Sequence, residues 1–448
     1  MGVREGINKL DVCKEKIEIN RYCSQDLSKV QTQSGVLSRS FSVADLSTPD
    51  KLQVHVRTYV DYFGGYSQHG KEILFGLEDS GRCVVKLTPI KSLIDIDPFI
   101  MQRCSHLINP PGFDIDKSVF LTIAGPGWAQ EKFISKSRFN IMWTMIESRN
   151  CHPMMREWLR NVNEIWCPTN TDKIRFDNLL VYRSDKINLK IMRLGYDPSL
   201  YNPHIPQISI SNLKNRYVFG VVGSWNKRKG IEKIIRAFCN EFKSSENVSL
   251  LLVSRYATRP YDGIKMGEEV KKDDKEKWDI KYEFNRIIED RKNIPHICLI
   301  DIPIQESVLP TIYARINCLI GFSMGESSWL PGLQAFGMRK PVIQLQSDCS
   351  GFMDYMNDDN SYLCKDVEYV KADDELVLGT SEYYEGQEFA EGTELELCAM
   401  MRRVYEERRD KRHKIKCENA FETVKDKWTW KESVRNVINR LQEIKNGS

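Results

Sequence analysis

The chain has 448 residues, of which 41% are hydrophobic and 28% charged, and a formal net charge of +3. That length exceeds one ordinary core and predicts two domains. It holds no apolar run of eighteen residues, which argues against a membrane-spanning helix, and so small a charge gives no ground for a nucleic-acid partner. Residues Met1 to Asn20 lack the apolar stretch of a signal peptide, so a cytoplasmic location is expected. The thirteen cysteines include no Cys-x-x-Cys pair and fit no disulfide framework. Several (Cys239, Cys298, Cys318) sit in apolar runs, where a reduced thiol serves as a small hydrophobe.

Residues 1–45 are polar, show no sustained period and read as an N-terminal extension. Organised structure is expected from Leu52, where Leu52 to Val56 alternates as a strand. The turn-rich stretch Asp61 to Tyr66, containing Gly64 and Gly65, follows it. A helix is predicted over Lys71 to Leu77 and a strand at Cys83 to Leu87. Strand, glycine loop, helix and strand in that order are the pattern of a parallel sheet with crossovers. Val119 to Ala124, Phe139 to Trp143 and Glu164 to Pro168 add strands to this first domain, placed at 46–205. The proline-rich Tyr201 to Pro206 reads as a linker. A second doubly wound α/β domain, 206–424, opens on the strand Tyr217 to Val222. In the helix after it, Ile231, Ile234, Ile235, Phe238 and Phe242 share one face. Further strands are expected at Ser249 to Val253, Ile297 to Ile302, Cys318 to Phe322 and Val342 to Leu345. Asn247-Val248-Ser249 matches a glycosylation acceptor but opens one of these buried strands, so it is discounted. Lys265 to Lys292, with nine acidic and nine basic residues, reads as a solvent-facing insertion and helix. Residues 425–448 contain a terminal helix with Val434, Val437, Ile438 and Leu441 at helical spacing.

Two opposed charge runs follow the second domain's strands. Asp366 to Glu396 has eleven acidic residues against one lysine and reads as a solvated face. Arg402 to Lys416, eight basic against three acidic residues, reads as a stripe on one helix, mildly favouring an anionic partner.

Two segments carry chemistry. Gly223-Ser224-Trp225-Asn226-Lys227-Arg228-Lys229-Gly230 joins a buried strand to a helix start. Unpaired backbone N–H groups and the positive helix end suit an anion there. Arg228 and Lys229 would neutralise a departing diphosphate; the alternative is a surface loop that happens to be basic. The second segment, Gly325-Glu326-Ser327-Ser328-Trp329-Leu330-Pro331-Gly332-Leu333-Gln334, lies past the C-terminal end of a strand, where open α/β sheets bind ligands. Glu326 and Gln334 lie close enough to share vicinal hydroxyls of a sugar or ribose; an N-capped helix with incidental polar groups is the alternative. No His or Cys cluster has metal-ligand spacing. Asp95-Ile96-Asp97 and Asp114-Ile115-Asp116 match a short Asp-x-Asp pattern but lie away from these segments, so no metal is assigned.

Together these segments resemble the family 4 retaining glycosyltransferases of the GT-B fold, in which two Rossmann-like domains face a cleft. The resemblance runs through Glu326, Leu330-Pro331, Gln334 and Pro341-Val342-Ile343. It also includes Lys229-Gly230, Leu194-Gly195-Tyr196-Asp197 and Trp166 to Asn170. It implies that Glu326 contacts the donor sugar, Gln334 the ribose, and Lys229 the donor phosphates, with Gly64 and Gly65 approaching the diphosphate. It further implies a nucleotide-sugar donor bound on the second domain with Gly223, Ser224, Arg228, Ser327 and Leu330 lining its site. The terminal helix would cross back to the first domain, and transfer would be metal-independent with retention. Three departures stand out. Gln334 replaces a glutamate, Ser224 stands where the family often has an arginine, and no histidine matches the family's catalytic-region one. Glu147 occupies that neighbourhood and is the candidate for contacting the acceptor, which the sequence does not identify. The departures leave open a catalytically silent, sugar-nucleotide-binding relative, and a sugar-nucleotide epimerase would keep the same fold.

Overall fold

The computed structural model describes residues 11–12, 51–60, 64–90, 98–181, 187–256, 280–289, 291–301, 304, 306–378 and 382–447. After the short strand β1 (Asp11–Val12), the first domain runs β2 (Leu52–Thr58), α1 (Gly65–Asp79), β3 (Cys83–Pro89), α2 (Pro98–Ile108), β4 (Val119–Ile123) and β5 (Phe139–Trp143). It continues through α3 (Met155–Leu159), β6 (Glu164–Cys167), α4 (Asn170–Leu180) and β7 (Asn188–Ile191). Its six strands are all parallel, in the order β3-β2-β4-β5-β6-β7. Strands buried on both faces need continuous apolar runs rather than alternation. Val119–Ile123 has every residue buried.

The second domain begins with β8 (Tyr217–Trp225), α5 (Ile231–Glu241), β9 (Val248–Tyr256), α6 (Ile280–Ile288), β10 (His296–Ile300) and α7 (Leu309–Arg315). It goes on through β11 (Cys318–Ile320), α8 (Leu330–Gly337), β12 (Val342–Leu345) and β13 (Tyr362–Cys364). The parallel order is β10-β9-β8-β11-β12-β13, with β1 pairing along the outer edge of β10. This pairing corrects the reading of residues 1–45 as a bare extension at Asp11 and Val12; the rest of that stretch lies outside the described residues. The helical face of Ile231, Ile234, Ile235 and Phe238 is buried against Phe219 and Val221 of β8.

After β13 come β14 (Val367–Lys371), α9 (Asp374–Leu378), β15 (Glu388–Gly392), α10 (Glu394–Glu407), α11 (Lys411–Val424) and α12 (Trp430–Lys445). Three expectations are corrected here. The acidic run is not merely a solvated face, because β14 and β15 form an antiparallel hairpin within it. Leu376, Tyr384 and Phe389, spaced between the carboxylates, bury themselves with Met324. The basic stripe does not lie on one helix, since α10 ends at Glu407 and α11 starts at Lys411. Helix α1 begins at Gly65 rather than Lys71. Its buried face opens on Ser67, His69 and Gly70, which give no apolar period until Ile73. Of the charged segment 265–292, residues 280–289 and 291–292 are described, and Ile280–Ile288 forms α6, with Ile280, Phe284, Ile287 and Ile288 buried; its earlier part, like Asp95 to Asp97, lies outside the described residues.

Helix α12 packs on the first domain rather than the second, as the resemblance implied. The backbones of Tyr196 and Trp428–Trp430 pair at 2.9 and 3.2 Å, and the Thr429 hydroxyl caps the helix by accepting from Glu432 N. Arg440, buried on α12, donates to both carboxylate oxygens of the fully buried Glu164 on β6, at 3.0 and 2.7 Å. The eleven described cysteines are all free thiols. No helix among the described residues is long and apolar enough to cross a membrane.

Candidate functional site

Ligands of open parallel sheets bind where the strand order reverses, past the C-terminal strand ends. In the second sheet that point lies between β8 and β11. The loops leaving these two strands are the two segments singled out in the sequence. After β8, Asn226 caps a single 3-10 turn, Lys227–Lys229, by accepting from Lys229 N at 3.0 Å. Gly230 then turns at φ 66°, and a Cβ there would run into the Phe322 carbonyl oxygen below β11's end. Only glycine fits both demands. The turn sends its three cations in different directions. Lys227 pairs outward with Asp373, whereas Arg228 and Lys229 turn in toward Glu326.

Glu326 is 4% exposed and forms an ion pair with Lys229 Nζ, while Arg228 Nη1 lies 3.3 Å from the same carboxylate oxygen. Burial alone would raise its carboxyl, but the ammonium of Lys229 and the guanidinium of Arg228 hold it below the usual range. Arg228 reaches further, to Glu147 Oε1 of the first domain at 3.0 Å. Burial opposes its charge, yet the carboxylates of Glu147 and Glu326 outweigh that and raise it above the ordinary value. Tyr384, from the segment between α9 and β15, donates to the other oxygen of Glu147 at 3.0 Å. Two buried polar groups here lack protein partners, Arg228 Nε and the Ser328 hydroxyl.

The first domain meets this site closely. A Cβ on Gly325 would strike the carbonyl oxygen of Glu147, so the two backbones touch at that point. Tyr66, in the first turn of α1, lies 3.3 Å from Met145 N and 3.4 Å from Thr144, just before Glu147. Gln68, two residues on, accepts from Gln334 Nε2 at 3.3 Å. The start of α1 thus adjoins the second domain's site. That helix has no acidic residue in its first turn and no side-chain cap, which leaves its N–H groups suited to an anion. Beside Gly64, Gly65 and Gly223 there is open space: a Cβ at any of them would meet nothing within 4 Å.

The structure therefore brings together Glu326, Lys229, Arg228 and Glu147, with Gln334 alongside. Ser224 is partly buried, its hydroxyl accepting from Asn226 at 3.1 Å. Leu330 is buried at the start of α8. The Ser327 hydroxyl donates to Asp172 of the first domain at 2.5 Å. Asp172, fully buried, also accepts from Thr169 and from Ile146 N. Burial pushes its carboxyl up against the pull of Arg175 and these hydrogen bonds. Arg175 donates to the Asp348 carbonyl at 2.6 Å, which completes an interdomain clasp that the sequence reading did not single out. Its signal was visible as Thr169 followed three residues later by Asp172, a helix-start pattern. Tyr384 was hidden inside the acidic run. Trp329, the residue before α8, holds φ 47°, an uncommon backbone for a bulky side chain, with its carbonyl accepting from Tyr355 at 3.0 Å. Asp114 bonds locally to Asp116 N, in a loop away from this site. Among the described residues no group of three or more His, Cys, Asp or Glu gathers as metal ligands would.

Two facing Rossmann-like domains closed by a terminal helix that returns to the first define the GT-B fold of nucleotide-sugar glycosyltransferases. Solved structures agree at the level of fold. The Anabaena protein HepE, in complex with UDP and glucose, superposes with a TM-score of 0.59 at 12% identity, covering 88% of this chain and 100% of that one. Sucrose-phosphate synthase from Thermosynechococcus elongatus gives 0.59 at 12%, covering 89% and 100%. A glycosyltransferase from Rickettsia africae gives 0.60 at 12%, again covering 89% and 100%. No protein-family model matches the chain, and no curated protein sequence matches it.

Proposed function

We propose that this protein is a retaining, family 4-like glycosyltransferase that moves a sugar from a nucleoside diphosphate sugar to an acceptor hydroxyl. The observation carrying this reading is the buried cluster of Glu326, Lys229 and Arg228 at the second sheet's switch point, opposite the uncapped start of α1. In this reading the donor diphosphate lies in the open space beside Gly64, Gly65 and Gly223. Lys229 and Arg228 neutralise the charge that grows on the leaving diphosphate, which lowers the barrier to its departure. Glu326 orients the donor sugar through its hydroxyls, and Gln334 reaches the ribose once it leaves Gln68. Arg228 Nε and the Ser328 hydroxyl, buried without protein partners, are donors that an anionic occupant would satisfy. Glu147, held by Arg228 and Tyr384, stands on the acceptor side. The fold neighbours bound to UDP make a uridine nucleotide the first donor to try.

A catalytically silent relative is the second reading. It is favoured by the pairing of Arg228 with two carboxylates and of Gln334 with Gln68. Thermal unfolding against a panel of nucleoside diphosphates and nucleotide sugars tests both readings, with wild type and Glu326→Gln compared. A ligand at a hundred times its dissociation constant stabilises a fold by about 2.7 kcal/mol, a readable shift in Tm. A selective shift, together with donor turnover that Glu326→Gln abolishes, is the expected result. A selective shift without turnover under any acceptor supports the silent relative, and no shift with any nucleotide rejects the donor site.

A further inference from the structure

The basic residues of the Arg402 to Lys416 run find no role in the site above, and two of the eight are neutralised locally. Arg402 pairs with Glu241 and Glu246, and Arg403 with Glu407. Two more converge elsewhere. Arg408, just past α10, with His413 and Lys414 on α11, lines a pocket of about 400 Å³ together with Arg339, Lys340 and Tyr217. Its floor is the N-terminal ends of β8, β11 and β12, since Tyr217, Asn317 and Pro341 all line it. It thus occupies the end of the second sheet opposite Glu326 and Lys229.

The charge in this pocket is largely uncompensated. One carboxylate lines it, Glu418, and that is taken by Arg339 at 2.7 and 3.1 Å. Lys340 donates to the Ala314 carbonyl at 2.9 Å and Arg408 to the Tyr405 carbonyl, so neither meets an anion. Burial and the neighbouring Arg315 push the Lys340 ammonium down to about 8. The Tyr217 hydroxyl, which belongs to the same lining, is buried without a partner. An O–H donor and cations left without counter-charge in one concavity are complementary to an oxyanion with several acceptor oxygens. The volume lies within the range of small-molecule sites and exceeds what a lone inorganic anion fills.

From this geometry we infer a second ligand site, one that binds the phosphate monoester of a small molecule of sugar or nucleoside size at the end of the donor domain remote from Glu326. Phosphate charge falls to Arg408, Lys340 and Lys414, a hydrogen bond comes from Tyr217, and the remaining volume takes the organic part. The inference stands independently of the donor reading.

Isothermal titration calorimetry at constant ionic strength tests it, with ribose 5-phosphate, inorganic phosphate and ribose as ligands. Proteins compared are wild type, Lys229→Gln and the double variant Arg408→Gln/Lys414→Gln. Lys414 is exposed and Arg408 half-buried, so the double variant is chosen to preserve the fold; an unchanged melting curve without ligand checks this. Expected is saturable binding of ribose 5-phosphate, weaker binding of phosphate and none of ribose. The double variant should lose at least tenfold in affinity while Lys229→Gln keeps it. No saturable binding, or equal affinity in the double variant, overturns the site. Loss confined to Lys229→Gln assigns the binding to the donor loop and overturns it equally. Should Arg408→Gln/Lys414→Gln fail to fold, Tyr217→Phe, expected to weaken both ribose 5-phosphate and phosphate, takes its place; unchanged affinity there rejects the proposal.

Discussion

At the scale of single residues, Glu326 is in an unusual position, a buried carboxylate shared by two cations from one turn. Removing one member of a buried ion cluster strands the others, and such changes destabilise by about 3–5 kcal/mol. Glu326→Ala is therefore expected to lower the urea midpoint markedly, because the buried Arg228 and the half-buried Lys229 are left with one less counter-charge. Glu326→Gln keeps hydrogen-bonding atoms in place and should lose less stability while losing transfer as fully, which separates chemistry from folding. Equal stability of Glu326→Ala and wild type would show that the cations rearrange to water. Glu326, Lys229 and Gln334 were legible because their spacing relative to Gly230 and Pro331 is local in sequence. The Arg228–Glu147 and Ser327–Asp172 contacts were not, since each joins residues from different domains and no local pattern specifies which surfaces meet.

Among the elements, α1 helps to bind the halves together, and it also carries a titrating group. Lys71 on α1 donates to Glu306 of the second domain at 2.5 Å. Its neighbour Glu72 has its carboxyl pushed up to about 8, by burial first and then by Asp197 and Glu306. Between pH 4.5 and 8 the folded protein holds a proton on Glu72 that the unfolded chain releases. The stability tied to that proton is complete below 4.5 and falls as pH rises through 8. Glu72→Gln removes the decline, so it should match wild type near pH 5 and exceed it by roughly 1–2 kcal/mol at pH 8. Thermal melts across that range read the difference, and a constant offset at every pH would refute the assignment. Strands were well anticipated because buried parallel strands are short apolar runs between turn residues. β13 to β15 and the true start of α1 were missed for local reasons: β13 is only three residues long, β14 has no buried residue and β15 lies within a run of carboxylates, while the first turn of α1 buries Ser67, His69 and Gly70 in place of an apolar period.

For the whole molecule, the order of assembly in space departs from the order along the chain. Helix α12 fills a face of the first domain: Val434 packs on Gly76 of α1, Trp430 stacks with His69 at 6.0 Å between ring centroids, and Arg440 neutralises Glu164. The His69 ring, pushed down to about 3 by burial, is a neutral part of that interior only while α12 covers it. A ribosome making this protein from its N-terminus finishes the first domain's sequence more than two hundred residues before it makes the helix that completes that domain. Until then Glu164 lies without Arg440, and the apolar face of α1 lies open to water. Nascent chains arrested before Trp428 should accordingly be cut by protease within residues 46–205, and chains arrested well past Ser448 through an added tail should resist. Protection of the shorter chains would mean that the first domain matures alone. Otherwise the protein becomes native in a single late step, and its earliest-made half is the one that waits longest among chaperones.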